Sequence, residues 1–136
     1  MKVSPKSSDK FINNLDSKIA AILLFGPDQG LIKIRSEKIQ CNILKNKFDP
    51  FNTMELSAAK LKTEPYQLSD EANALSFSSD RKFIRIADAG DAVTSIVNSY
   101  LKNPAPTSFI LLESGELTPK SSLRKLFEAH PIAASI

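Results

Sequence analysis

The sequence predicts a three-layer α/β/α sandwich built on a mostly parallel sheet of about five strands. Two observations carry that prediction. Short, predominantly apolar runs, such as residues 20–25 and 108–112, suit strands covered by helices on both faces, where the alternation of a half-exposed strand is lost. Between the strand-like runs lie stretches with apolar residues three and four apart, so strand and helix alternate along the chain. That alternation favours right-handed crossovers and a parallel sheet over repeats or low complexity.

Bulk composition narrows the class. A chain of 136 residues with 42% hydrophobic content has enough apolar surface for one compact core. The single cysteine, Cys41, has no internal disulfide partner, and no apolar run approaches the roughly 20 residues that cross a bilayer. Residues 1–10 carry charges and serines without the apolar centre of an export signal. The expectation is therefore a soluble, cytoplasmic protein with no membrane partner. Net charge is +3, too small for the basic footprint of a dedicated DNA reader. Lys33, Arg35, Lys38, Lys45 and Lys47 are interrupted by Glu37 and Asp49, a pattern that reads as a solvated helix face.

Each element has its own signal. Residues 7–17 form a short leading helix capped by Ser7 or Ser8, with Phe11, Ile12 and Leu15 directed at the sheet. The first strand, Ala20 to Phe25, lies centrally. A helix follows from Gly30 to about Lys47, its expected buried stripe being Leu31, Ile34, Ile39, Ile43 and Leu44, and Asp49-Pro50 breaks it. Phe51 to Leu56 is the second strand. After a polar connector, Thr63-Glu64-Pro65 supplies a cap, an acid and a first-turn proline for a helix that buries Leu68, Ala72 and Leu75. Residues 76–80, Ser-Phe-Ser-Ser-Asp, then fall in an exposed turn.

Lys82 to Ala87 is the third strand. Asp91 caps a helix whose Val93, Ile96, Val97, Tyr100 and Leu101 follow helical spacing closely. Ser108 to Leu112 is the next strand, and Thr118-Pro119 supplies an N-cap and an N1 proline for a helix burying Leu123, Leu126 and Phe127. Pro131 ends that helix, and Ile132 to Ile136 begins a further strand.

The junction after the first strand carries the main chemical signal. The apolar run Ile19 to Phe25 stops at Gly26-Pro27-Asp28-Gln29-Gly30 and a charged helix begins, which is the order of a phosphate-binding strand-loop-helix. A working loop reads G-x-x-x-x-G-K-[ST]: its amides cradle phosphates, its lysine neutralises the outer ones and its hydroxyl holds magnesium. Here the glycines stand one residue too close, and Leu31-Ile32 replaces the lysine and hydroxyl. An apolar pair supplies neither charge nor a metal ligand, so these five residues are expected to be a structural remnant. No catalytic residue, metal or cofactor is expected.

Other polar residues have plainer readings. Ile84-Arg-Ile-Ala-Asp88 resembles the run that ends in a magnesium-holding acid, but without the lysine Asp88 and Asp91 read as turn and cap residues. His130, alone at a helix end, is expected to complement the helix dipole, and Cys41 to be a small buried hydrophobe. Phe77 on a polar turn has two open fates, folding back onto its own core or anchoring a partner.

Four segments in order, Leu24-Phe-Gly-Pro-Asp-Gln-Gly-Leu-Ile32, Asp49-Pro-Phe-Asn52, Asp70-Glu-Ala-Asn-Ala-Leu-Ser76 and Glu116-Leu-Thr-Pro-Lys-Ser-Ser-Leu-Arg-Lys-Leu126, together resemble the bacterial DNA polymerase III delta subunit, in its alphaproteobacterial branch. The resemblance runs from about Leu23 to the last residue. It implies an AAA+-like N-terminal domain over residues 19–136, preceded by a leading segment at 1–18, with the family's lid and C-terminal collar domains absent from this chain. It further implies a clamp-loader subunit that grips and helps open the sliding clamp for loading on primed DNA, without hydrolysing ATP. The implied partners are the beta clamp, the other loader subunits and primed DNA through the complex.

The family's clamp-binding element matches Leu75, Ser76 and Phe77. Phe77 takes the first apolar place of that element and Ser78 the second, so the anchor is either weaker or formed by Leu75 with Phe77. A P-loop kinase or ATPase with an unusual loop is the alternative function, and a Rossmann-like ligand domain a third.

Overall fold

The structure is a computed structural model that describes residues 3, 6–14, 19–43, 53–73, 82–104, 108–130 and 133–135. In chain order the elements are α1 (Ser8–Asn13), β1 (Ala21–Leu24), α2 (Gln29–Ile43), β2 (Thr53–Ser57), α3 (Ala58–Thr63), α4 (Gln67–Ala72) and β3 (Lys82–Ala89). A 3₁₀ turn (Asp91–Val93) then leads into α5 (Thr94–Leu101), β4 (Ser108–Ser114), α6 (Ser122–Ala129) and β5 (Ala133–Ser135). The five strands form one sheet in the order β2-β3-β4-β1-β5, every pair parallel. This is the α/β architecture the alternating pattern predicts.

Burial explains the apolar runs. Ala21, Ile22, Leu23 and Leu24 are all essentially inaccessible, because β1 lies between β4 and β5 with helices on both faces. Ile22, Leu24, Phe83, Phe109 and Leu111 point to one face, where Ile12 of α1 and Ile32 and Ile39 of α2 cover them. Leu23, Ile84, Ile86, Ile110 and Leu112 point to the other, against α3, α4, α5 and α6. The strand period of two thus divides the core into two apolar layers. The leading helix docks as expected: Ile12 is fully buried, and its carbonyl accepts a 2.6 Å hydrogen bond from the Asn42 amide.

Four expectations need correction. The buried stripe of α2 is Ile32, Ser36 and Ile39, while Leu31 is 40% and Ile34 53% exposed. Spacings of four and three on the sheet-facing side fix the phase, and a serine there hid it. Residues 58–63 are a helix rather than a connector, started by Ser57, whose hydroxyl accepts from the Lys60 amide at 3.2 Å. Thr63-Glu64-Pro65 consequently closes α3, and α4 starts at Gln67 without a side-chain cap. Cys41 is exposed, on the outer side of α2.

α6 also starts later than Thr118-Pro119 suggests. Its N-cap is Ser121, whose hydroxyl accepts from the Arg124 amide, and Thr118 supplies only the carbonyl of the preceding turn. Burial pushes the His130 imidazole below its ordinary range, which weakens the charge it can bring to the helix end.

Candidate functional site

The loop between β1 and α2 closes on itself. Gly26 leaves the strand at φ +140°, a conformation that a residue with a side chain rarely adopts, and its amide donates to the Gly115 carbonyl beyond β4 at 3.0 Å. Asp28 then caps α2: its carboxylate accepts the Leu31 amide at 3.0 Å, and its carbonyl accepts the Ile32 amide at 3.2 Å. A Cβ at Gly30 would sit 3.4 Å from that same carboxylate oxygen. The helix N-terminus, where a phosphate loop offers free amides, is therefore served by an internal carboxylate.

The two residues after Gly30 diverge. Leu31 faces solvent, and Ile32, 6% exposed, enters the layer between α2 and the sheet. Neither places a cation or a metal ligand at the loop. On the other side of the loop, the Arg124 guanidinium lies 4.9 Å over the Phe25 ring. The same guanidinium donates to the Leu117 carbonyl at 2.9 Å and to the Glu128 carboxylate at 2.8 Å, joining the end of β1 to α6.

The acids at the end of β3 are structural. Asp88 has a positive φ of 55°, tolerated by a short Asx side chain, where the β3–β4 register shifts between Ile86 and Ala89. Asp91 does cap a helix, but a different one from that expected. Its carboxylate accepts from the Ser121 hydroxyl and from the Leu123 amide, so it secures α6 rather than α5. Among the described residues no group of three or more acids, histidines or cysteines could hold a metal ion.

Those bonds, the Ser121 hydroxyl first and the Leu123 amide second, hold the Asp91 carboxyl below its ordinary value of 3.8. A carboxylate with a depressed native pKa contributes stability above its unfolded value and loses it as pH falls through the native one. Asp91→Ala should thus lower the melting temperature at neutral pH, with the gap from the unsubstituted protein closing below pH 3.8. Thermal melts from neutral pH down to about pH 2 check this, and a gap constant with pH would contradict it.

The residues read as a partner anchor, Leu75, Ser76 and Phe77, lie outside the described residues. The elements on either side of them are described: α4 ends at Ala72 and β3 begins at Lys82. Ala72 is fully buried and Lys82 only 8% exposed.

The sequence profile of the DNA polymerase III delta subunit matches residues 22–135, most of the chain. The chain belongs to the DNA polymerase III delta subunit family. Solved structures show the same fold. The Bacillus subtilis DNA clamp loader delta protein superposes with a TM-score of 0.68 at 18% identity, covering 96% of this chain and 40% of that one. A DNA polymerase III gamma subunit-related protein from Thermotoga maritima superposes with a TM-score of 0.62 at 14% identity, covering 96% and 45% respectively. This member of the delta family therefore spans less than half the length of either protein. No curated protein matches it. Among its described residues no helix is long and apolar enough to cross a membrane.

Proposed function

We propose that this delta-family chain is an AAA+-like recognition domain of a clamp loader, which binds the sliding clamp and helps open it for loading on primed DNA without hydrolysing ATP. The observation that carries the reading is the family match over residues 22–135. The chemistry of the β1–α2 loop supports it. Phosphate binding draws on free amides and a nearby cation, whereas here Asp28 takes the Leu31 amide and Leu31-Ile32 brings no charge. A scaffold without that chemistry retains surfaces, and its task is recognition.

The clamp contact is assigned to Leu75, Ser76 and Phe77. An aromatic side chain buried in a partner's apolar pocket contributes about 2 kcal/mol or more, enough to dominate a small interface. The other loader subunits meet further faces of the domain, DNA is reached through the assembled loader, and the setting is the cytoplasm. The test is retention of the 136-residue chain on immobilised cognate clamp. Phe77→Ala should weaken capture about thirtyfold, the equivalent of about 2 kcal/mol. Equal retention of the variant would remove the anchor from this assignment.

A further inference from the structure

We propose that the cleft between α3 and the 3₁₀ turn, beyond the carboxyl ends of β2 and β3, binds a small zwitterion of amino-acid type. Asp88 takes its ammonium, Lys62 its carboxylate, and alanine walls its aliphatic body. Every residue that lines the cleft lies outside the segment assigned to the clamp, so the two readings stand or fall separately.

The cleft encloses about 330 Å³. Its walls are small and mostly apolar: Ala58 and Ala59 come from the first turn of α3, and Gly90 and Ala92 from the segment that follows β3. Four polar side chains line it as well, and two of them are already committed. The Ser57 hydroxyl accepts the Lys60 amide, and the Asp91 carboxylate holds Ser121 and Leu123. Asp88 and Lys62 remain. Both are exposed, and among the described residues neither side chain has a hydrogen-bond or ion-pair partner.

A specific distortion brings Asp88 to the cleft. In an unbroken strand it would share the face of Ile86, inside the apolar layer that also holds Leu23 and Ile110. The register shift between Ile86 and Ala89 gives that inward place to Ala89, 5% exposed, and turns Asp88 outward at φ 55°. The backbone accounts for a short side chain there but not for a charge, since asparagine or glycine also adopts a positive φ. A single exposed charge is satisfied by water and needs no ligand to explain it. Here two charges of opposite sign share one concavity without pairing, which leaves room between them for a group of each sign.

The chemistry of the lining selects the ligand. With Asp91 counted, carboxylates outnumber the one ammonium, so phosphates and other anions are repelled. The described residues offer no group of three or more metal ligands. A bare cation, in turn, meets Lys62. A molecule that carries both charges sets each against its opposite. The volume lies at the small end of ligand sites, which suits one amino acid rather than a nucleotide. The alanine methyl groups give an aliphatic body an apolar wall to cover, so L-leucine is the probe.

The experiment follows the backbone amide NMR shifts of the 136-residue chain during titration with L-leucine, with leucinamide, which has only the ammonium, and with N-acetylleucine, which has only the carboxylate. Leucinamide stands for the N-terminal residue of a peptide and N-acetylleucine for the C-terminal one, so the free amino acid is distinguished from either chain end. Leucine should bind saturably in the millimolar range, with shifts centred on residues 57–62 and 88–92, and each one-charge compound about tenfold more weakly. Asp88→Asn, which tolerates the same backbone, should abolish the advantage of leucine over N-acetylleucine, and Lys62→Met its advantage over leucinamide. Ala59→Phe, which fills the cleft, should remove binding of all three compounds, while melting temperatures confirm that the variants stay folded. Should Asp88→Asn fail to fold, Lys62→Met, at an exposed position of α3, decides by the same comparison. A leucine response that does not saturate, or saturates at residues elsewhere on the domain, would overturn the proposal. Leucinamide or N-acetylleucine binding as tightly as leucine would overturn it too, as would undiminished leucine binding by Asp88→Asn and Lys62→Met.

Discussion

Phe109→Ala is expected to lower the unfolding free energy by about 3–5 kcal/mol, the range for removing an enclosed aromatic ring. Phe109 is fully buried, and its ring stacks on Phe83, its register partner, with centroids 6.1 Å apart and planes 14° from parallel. The pair lies on the sheet face beneath α2, among Ile22, Leu24, Ile39 and Leu111. Strand neighbours hold both backbones, so the space left by the ring does not collapse, and the cavity adds to the lost transfer energy. A domain of this size has a net stability of about 5–15 kcal/mol, so the change is a large fraction of the total. Denaturant titration should show a lower midpoint at unchanged slope. Leu31→Ala, at a 40% exposed position, should change the midpoint little. Comparable losses at the two positions would contradict the assignment of buried and exposed faces to α2 and the sheet.

Arg85→Met should have the second largest effect. The Arg85 guanidinium makes a two-pronged contact with Glu113, Nε to Oε1 at 2.7 Å and Nη2 to Oε2 at 2.9 Å. The Glu113 side chain is 13% exposed and that of Arg85 33%. The bonds to Glu113 raise the Arg85 pKa above its already high ordinary value against the opposing effect of burial, and the charges of Glu55 and Glu37 add to the same direction. Arg85 is therefore the partner of Glu113, with Glu55 and Glu37 adding a weaker attraction. Removing it leaves Glu113 largely enclosed without its partner, at a cost of about 2 kcal/mol in unfolding free energy. Glu113→Gln should cost less, because Arg85 keeps Glu55 and Glu37 nearby. Arg85→Met combined with Glu113→Leu should recover part of the loss, since an apolar pair carries no unpaired charge. If the double variant lost as much as the sum of the single ones, the two side chains would act independently, against this account.

Much of the fold was legible because a parallel sheet leaves a strong trace. A strand covered on both faces is apolar along its buried length, and β1 and residues 109–112 of β4 are. Val93, Val97, Tyr100 and Leu101 showed one face at helical spacing, and all four are buried. What the sequence hid depends on contacts between distant residues. α3 is a six-residue helix of ordinary polarity, and only its place beside β2 and β3 makes Leu61 a core residue. The start of α6 is set in part by Asp91, thirty residues upstream of Ser121, so the local Thr118-Pro119 signal was outweighed. In α2 the apolar residues at 31 and 34 competed with the true face, and a buried Ser36 concealed the phase.

The candidate site was legible to a different degree. The missing lysine and hydroxyl of the β1–α2 loop are facts of composition and required no coordinates. The Asp28 carboxylate at the Leu31 amide, and the Gly26 amide on Gly115, emerged only from geometry. An N-cap aspartate before a helix is a recognisable local signal, but the bond to Gly115 joins residues 89 positions apart.

The central claim is that this domain recognises a protein ring and has given up nucleotide. It is tested most directly by titrating one sample of the chain first with magnesium ATP and then with cognate clamp, while heat is recorded. The account predicts no saturable response to the nucleotide and saturable binding of the clamp at an affinity that the nucleotide leaves unchanged. Saturable ATP binding that disappears on substitution of Gly30, together with silence towards the clamp, would contradict it.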